Sequence, residues 1–354
     1  MFLVIETQTT LSAEVVLYAP NVHTGGGLVL LTSLLAAWPG EKPLRAFLDV
    51  RAIEQLNLTA TMDVTWVAPH VIDRLWAEFL AYKAADREGV ALLCFHGLPP
   101  LLPLRGEVVI FMQNRLLIEH GSLVEYPVKV RIRLRIARLW CRALQSRCKR
   151  YIVQTPSMAA LLTQFLRRKV QLSVIPFIPE TSDTINRADG MMRKFDFVYV
   201  ASGEAHKNHR TLLETWRLLA DEGLTPSLAL TIDPALYPAL SAEIKRYADD
   251  EGLKIVNVGQ VLSADIATLY KSSAALIFPS KVESLGLPLI EASRLGLPIL
   301  ASELDYVRDI VRPNETFDPN SHISMARAVR RFLKYTEPLS QIRTAKEFLA
   351  EAFK

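Results

Sequence analysis

Glu283 and Glu291 stand with seven residues between them, in the run Glu-Ser-Leu-Gly-Leu-Pro-Leu-Ile-Glu. A carboxylate accepts through two oxygens and can hold a cis-diol such as a ribose. Gly286 lets backbone approach a ligand closely. Pro288 suits the first helical position, where its missing N–H would be unpaired in any case. The free N–H groups of residues 286–290 would then form a positive helix end that cradles an anion. Glu291 would lie in the first turn, facing the same mouth. Diol acceptors beside an anion cradle suit a nucleotide-sugar. Taken alone, the two glutamates also read as solvated helix caps, or as the acid and base of a glycosidase, which needs two carboxyls facing across one bond.

A second candidate is Asn21-Val-His-Thr-Gly-Gly-Gly27, between a short strand and the apolar run Leu28–Leu35. Gly25, Gly26 and Gly27 would let backbone approach a phosphate or an acceptor; a plain tight turn is the alternative. The triplet is not a Gly-x-Gly-x-x-Gly dinucleotide fingerprint.

Short β-branched and aromatic runs must position these loops. In the first half they are Glu14–Tyr18, Arg45–Asp49, Val64–Val67, Val90–Phe95, Val108–Met112, Arg150–Gln154 and Val170–Ile175. The proline-rich, polar stretch from Pro176 to Gly190 reads as a linker. Five more runs follow: Phe195–Ala201, Leu228–Thr231, Lys254–Val258, Ala274–Phe278 and Pro298–Ser302. Strand–helix alternation repeated on both sides of a linker predicts an α/β protein of two doubly wound domains. The expected boundaries are 1–185 and 186–338, with a last helix over 339–354 packing back on the first domain. A chain of 354 residues, half of them hydrophobic, fits two ordinary cores. Three cysteines suggest a reducing compartment. Met1–Glu6 lacks the basic and apolar regions of a signal peptide. No uncharged apolar run reaches the roughly 18 residues of a spanning helix.

From Lys254 to Ser321 the sequence resembles the donor-binding half of the family 4 glycosyltransferases, which have the GT-B fold. The resemblance rests on Val258-Gly259-Gln-Val261, Leu269-Tyr270-Lys-Ser-Ser273, Phe278-Pro279-Ser280, Glu283 through Glu291, and Phe317-Asp-Pro-Asn-Ser321. Upstream, Phe197-Val-Tyr-Val-Ala-Ser-Gly203 with His206-Lys207-Asn208 resembles the family's first strand and phosphate loop. It covers most of residues 150–335 and is weaker over 14–150.

The resemblance implies two Rossmann-like domains, an acceptor-binding first one and a donor-binding second one, facing a cleft. It implies a retaining transfer from a UDP- or GDP-sugar to a glycan or lipid-linked acceptor, as in bacterial polysaccharide and lipopolysaccharide synthesis. Glu291 would take the ribose, Val258 and Gly259 would line the base, and Lys207 would hold the diphosphate. Glu283 and the backbone of Ser284, Leu285, Gly286 and Leu287 would hold the sugar. The glycine loop would close over it with Gln113. A cation at Lys207 would offset charge on the departing phosphate, although an exposed loop lysine is the plain alternative. Ala201 stands where many members carry an arginine, and His206 or Arg210 could compensate. Gln113, followed by Asn114 and Arg115, stands where many carry a histidine. It can bond a sugar hydroxyl but carries no charge. His96 and Gly97 face the cleft by the same alignment, with His120 a possible neighbour; a lone histidine is as often structural.

No metal or other cofactor is expected. The chain has no Asp-x-Asp pair, and His206 with His209 lack a third ligand.

Between Lys129 and Lys169 stand twelve Lys and Arg and no Asp or Glu, although the whole chain is only +4. Arg131, Arg135, Arg138 and Arg142 recur at helical spacing as one face, and Leu134, Ala137, Cys141 and Leu144 as another, with Trp140 between. The pattern predicts an interfacial helix on an anionic membrane. The alternative is a solvated helix covering the core. No aromatic-interleaved nucleic-acid module accompanies the charge. The expected place is cytoplasmic, peripheral on the inner face of the plasma membrane. Two other functions remain open: a nucleotide-sugar epimerase of the same fold, and a non-catalytic nucleotide-sugar-binding scaffold, consistent with Ala201 and Gln113.

Overall fold

The computed structural model describes residues 14–40, 42–119, 123–124, 126–166, 169–179 and 193–335. The expected boundary at 185/186, His120 and the expected helix over 339–354 lie outside the described residues. Of the expected linker, the part up to Pro179 is described.

Thirteen strands are present among the described residues. In the first half they are β1 Glu14–Ala19, β2 Leu44–Asp49, β3 Met62–Val67, β4 Val90–Cys94, β5 Glu107–Phe111, β6 Arg150–Val153 and β7 Gln171–Val174. In the second half they are β8 Phe195–Tyr199, β9 Leu228–Leu230, β10 Ile255–Asn257, β11 Ser273–Phe278, β12 Ile299–Ser302 and β13 Glu315–Phe317. All twelve strands read from the sequence are there, with ends shifted by one or two residues. The thirteenth, β13, is Glu-Thr-Phe on a sheet edge, and with Phe317 its one apolar residue it shows no apolar run.

The strands form two parallel sheets, ordered β3-β2-β1-β4-β5-β6-β7 and β10-β9-β8-β11-β12-β13. Parallel strands are covered on both faces, so they read as continuous apolar runs. Val16, Tyr18 and Ile110 pack under the helix Val71–Ala85 and its neighbours, while Leu17, Ala46 and Phe111 turn to the helix Gly25–Ala36. The second sheet is enclosed by one core around Phe197, Leu276 and Trp216.

Chain order reverses between β1 and β4 in the first sheet and between β8 and β11 in the second. At such a reversal the loops leaving neighbouring strands part in opposite directions and open a crevice at the carboxyl ends. The loops concerned follow β1, β4, β8 and β11. They carry the glycine triplet, His96, Lys207 and Glu283.

Candidate active site

The loop after β8 is held in place by backbone contacts to the loop after β11. Lys281 N–H and the Ser280 hydroxyl both donate to the His206 carbonyl, at 2.8 and 3.2 Å. The Tyr199 hydroxyl donates to the Lys207 carbonyl at 2.8 Å. Asn208 sits in the left-handed region at φ 64°, a conformation asparagine tolerates better than most residues. Its amide donates to Pro279 O (3.1 Å) and Pro319 O (2.7 Å), and its Oδ1 accepts from Thr211 (2.8 Å). A buried side chain that ties three segments fixes the residue beside it, and that residue is Lys207.

The consequence is an ion pair. Lys207 Nζ lies 2.6 Å from Glu283 Oε1, with side-chain exposures of 17% and 12%. The sequence separates these groups by 76 positions. Together they form a charged, hydrogen-bonding couple shielded from bulk water, where Coulomb interactions are stronger.

Glu283 opens the turn that ends at Gly286. Gly286 adopts φ 76° and caps the helix Leu287–Arg294. A Cβ there would add left-handed strain and would lie 3.1 Å from Leu289. The helix begins at Leu287, which puts Pro288 second rather than first. Glu291 is therefore the fifth helical residue, one turn in, and not in the first turn. Its Oε2 accepts from the buried Tyr270 hydroxyl at 3.0 Å. Burial raises its carboxyl above the usual range, and the Tyr270 bond opposes this.

Val258 is exposed beyond the end of β10, and Gly259 (φ 77°) takes the turn after it. Ser284 is half-buried and Leu285 buried.

The first domain closes on this loop. Gly26 faces Leu287: a Cβ on it would lie 3.6 Å from that side chain. Leu287 also packs against the core of the first domain. Gln113 donates to Phe95 O at 2.7 Å and turns its Oε1 toward Gly27. His96 lies beside Tyr18, its Nδ1 3.2 Å from the Tyr18 carbonyl, and burial depresses its imidazole to about 4. Tyr126 stacks on His206 across the junction, centroids 6.2 Å apart. The Asn114 side chain is engaged elsewhere. Its Oδ1 caps the short helix Arg115–Ile118, accepting from Leu116 N at 3.0 Å.

Sequence reasoning passed over Arg115. It is buried and donates twice to Asp305 across the domains, at 2.9 and 3.1 Å, and twice to Glu119. Burial works against the Asp305 carboxylate, and the Arg115 bonds overcome it and hold that carboxyl below its usual range. Ser157 N–H to Asp309 Oδ2, 2.9 Å, is a second cross-domain bond. Nothing in a one-dimensional pattern separates Arg115 from the arginines that follow it.

The expected basic face does not form. On the helix Val128–Leu144, Arg138 turns inward and donates to Leu116 O and Glu119 O. Arg142 lies over the Phe165 ring, 4.7 Å from its centroid. The Trp140 indole donates to Pro99 O at 2.8 Å. Arg135 is exposed and Arg131 half-buried. The helix presents a different side to solvent, because Leu134 and Cys141 anchor it to the core and Arg138 and Arg142 lie on their flank.

His209, beside Tyr199, is buried with both ring nitrogens unpartnered, and burial pushes its imidazole down to about 3. The folded state therefore excludes a proton that the unfolded chain binds below its ordinary value of 6.5. Stability should be full above that value and fall on acidification, by up to ~1.4 kcal/mol per pH unit per such histidine. Urea unfolding near pH 7 and near pH 5 should show the loss, and His209→Phe should reduce it, the buried His96 keeping its own share. An unchanged slope in that variant would remove His209 as the cause.

Residues 183–347 match the family model of the glycosyl transferases group 1. O-antigen chain mannosyltransferase B of Escherichia coli is 25% identical over 143 residues, covering 36% of this chain and 35% of that protein. The amylovoran biosynthesis glycosyltransferase AmsD of Erwinia amylovora is 26% identical over 230 residues, 63% of this chain and 61% of its own. The chain thus spans about a third to three-fifths of these two relatives. Among solved structures, Anabaena HepE in complex with UDP and glucose superposes with a TM-score of 0.65 at 13% identity, covering 91% of this chain and 90% of that one. Sucrose-phosphate synthase of Thermosynechococcus elongatus gives 0.65 at 18% identity over the same shares. The fold is GT-B.

Proposed function

We propose that the protein is a glycosyltransferase that moves a sugar from a nucleotide diphosphate-sugar to a hydroxyl of a glycan or lipid-linked acceptor, with retention of configuration, in cell-surface polysaccharide synthesis. The observation that carries this reading is the shielded Lys207–Glu283 pair at the reversal point of the second sheet, opposite the glycine loop. The relatives' names support the polysaccharide context.

The chain's own groups divide the work. The positive end of the helix Leu287–Arg294 and the Lys207 ammonium offset charge that grows on the leaving diphosphate. Glu283 fixes the Lys207 amine before the donor arrives and accepts from sugar hydroxyls once it is bound. Glu291 accepts from the ribose with the oxygen that Tyr270 leaves free. Val258 and Gly259 border the base. Gln113, braced on Phe95 O, and the backbone of Gly25–Gly27 bear on the sugar as the domains close and exclude water. His96 stands nearer the acceptor. Neutral at physiological pH, it can take a hydrogen bond from the attacking hydroxyl.

A thermal-shift panel of nucleotide sugars tests the reading, because a ligand of the folded state alone raises Tm. It should include UDP-glucose, after HepE, and mannosyl donors, after the Escherichia coli relatives. One donor should stabilise the protein. Glu291→Gln should weaken it about tenfold, the loss of one charge-assisted hydrogen bond. A panel in which no nucleotide or nucleotide-sugar shifts Tm would overturn the donor assignment.

A further inference from the structure

Met112 N–H donates to Ile152 O at 2.9 Å and Ile175 N–H to Val153 O at 2.8 Å, so the ladder of β5, β6 and β7 runs past the strand ends. Phe111 is the partner of Ile152 in that register, which sets Gln113 beside Gln154. Neighbours on adjacent strands stand about 4.8 Å apart. Thr155 is still extended, at φ −136° and ψ 156°, so side chains keep alternating from one face to the other. Val153 packs on the side of the helix Val71–Ala85, and Thr155 caps the helix Pro156–Phe165, accepting from Met158 N–H at 3.2 Å. Ile152 and Phe111 pack on the side of the helix Gly25–Ala36, and Gln154 falls with them.

Gln154 is 2% exposed, and neither atom of its amide has a hydrogen-bond partner among the described residues. The groups on its side of the sheet are apolar. Phe177, after β7, reaches the ring of Phe111 on β5 at a centroid distance of 5.6 Å, with β6 between their strands. Leu287, where the helix of the donor site begins, packs on the same core. A buried amide left unpaired destabilises a fold, and an apolar side chain of the same shape would remove that cost. Helix capping does not require this amide either, since Thr155 supplies the cap.

Gln113 shows the complementary pattern. Its amide nitrogen is engaged by Phe95 O at 2.7 Å, and its Oε1 turns to Gly27 of the glycine loop. It therefore meets the cleft with an acceptor. The neighbouring Gln154 adds N–H donors. A hydroxyl both donates and accepts, so two adjacent hydroxyls on a sugar ring match an acceptor and a donor set side by side.

We propose that Gln154 is a specificity-determining residue for the donor sugar, its amide donating to the hydroxyl next to the one that Gln113 accepts from. This rests on the reading that a nucleotide-sugar binds in the cleft. The amide costs the free protein stability, and the sugar supplies the partner that the fold does not. Binding that pairs a buried polar group discriminates sharply against a sugar lacking the matching hydroxyl, because the group is then left unpaired. Gln154 takes no part in bond breaking; it selects what is bound.

Thermal unfolding and donor titration of Gln154→Met in the full chain test it, since methionine keeps the length and removes both polar atoms. The free variant should melt at the wild-type temperature or ~2–4 °C above it. Its affinity for UDP-glucose, or for the mannosyl donor if that one stabilises the unaltered chain, should fall about fivefold to tenfold. Affinity for the same nucleoside diphosphate without the sugar should stay as in wild type. One mono-deoxy form of the donor sugar should bind the unaltered chain as weakly as the complete donor binds the variant, and should bind the variant no more weakly than that. If no nucleotide-sugar shifts the Tm of the unaltered chain, the donor reading fails and this assignment with it. If the donor binds both chains alike, the donor reading stands and Gln154 is not on the sugar. An equal loss on the sugar-free nucleotide, or a lower Tm for the free variant, would make Gln154 a structural residue and overturn the proposal.

Discussion

Replacing Lys207 by methionine should leave a folded protein that releases nucleotide from its donor roughly a hundred- to a thousand-fold more slowly, the usual cost of losing one preorganised electrostatic group. The loss should fall on kcat more than on KM, since the diphosphate gains its extra charge only as the glycosidic bond breaks. Glu283→Gln keeps the shape and the hydrogen-bonding capacity but removes the charge 2.6 Å from the amine. It should slow turnover by a comparable factor, because each residue alone leaves the other shielded and unpaired. The double variant should be little worse than either single one, as groups acting as a unit are not additive. Steady-state rates with the donor found by thermal shift would show this. Turnover by Glu283→Ala equal to wild type would remove Glu283 from the mechanism. Intact donor binding with no turnover in the unaltered chain would favour the scaffold reading.

The second large effect should come from Arg115→Ala, through the domain junction. Arg115 bonds both Asp305 oxygens across the domain junction. Truncating one side of a hydrogen-bonded charge pair at an interface commonly costs about 2–5 kcal/mol. Asp305 is 46% exposed, so solvent screening puts this pair at the low end. We expect kcat/KM to fall about thirtyfold, corresponding to ~2 kcal/mol, with a larger radius of gyration in solution scattering. Asp305→Asn should reproduce most of the loss. Glu119→Gln should not, since Glu119 lies on the same domain as Arg115. A variant with wild-type scattering and wild-type kinetics would show that closure does not depend on this latch.

Much of the candidate site is legible in one dimension. Gly286 and Pro288 mark the turn into a helix because only certain backbones admit them, and that constraint is local. The twelve strands are readable because a doubly covered parallel sheet demands unbroken apolar runs. Glu291 lies one residue further along the helix than its sequence context suggests: the helix starts at Leu287, and a proline is accepted at its second position as well as its first. The basic helix departs from expectation for a different reason. Spacing shows which residues share a side of a helix, but not which side meets the core. Leu134 and Cys141 settle that, and Arg138 and Arg142 follow them inward.

Local backbone limits and runs of apolar side chains were enough to specify the two parallel sheets, their crossover loops and the chemistry each loop carries. Which loops meet is a matter of three dimensions. The 76 positions between Lys207 and Glu283 close to one hydrogen bond because the sheet order reverses between β8 and β11 and Asn208 clamps the loop in place. Arg115 reaches Asp305 because the two domains abut. Both outcomes rest on contacts between residues far apart in the chain, and no local pattern encodes them.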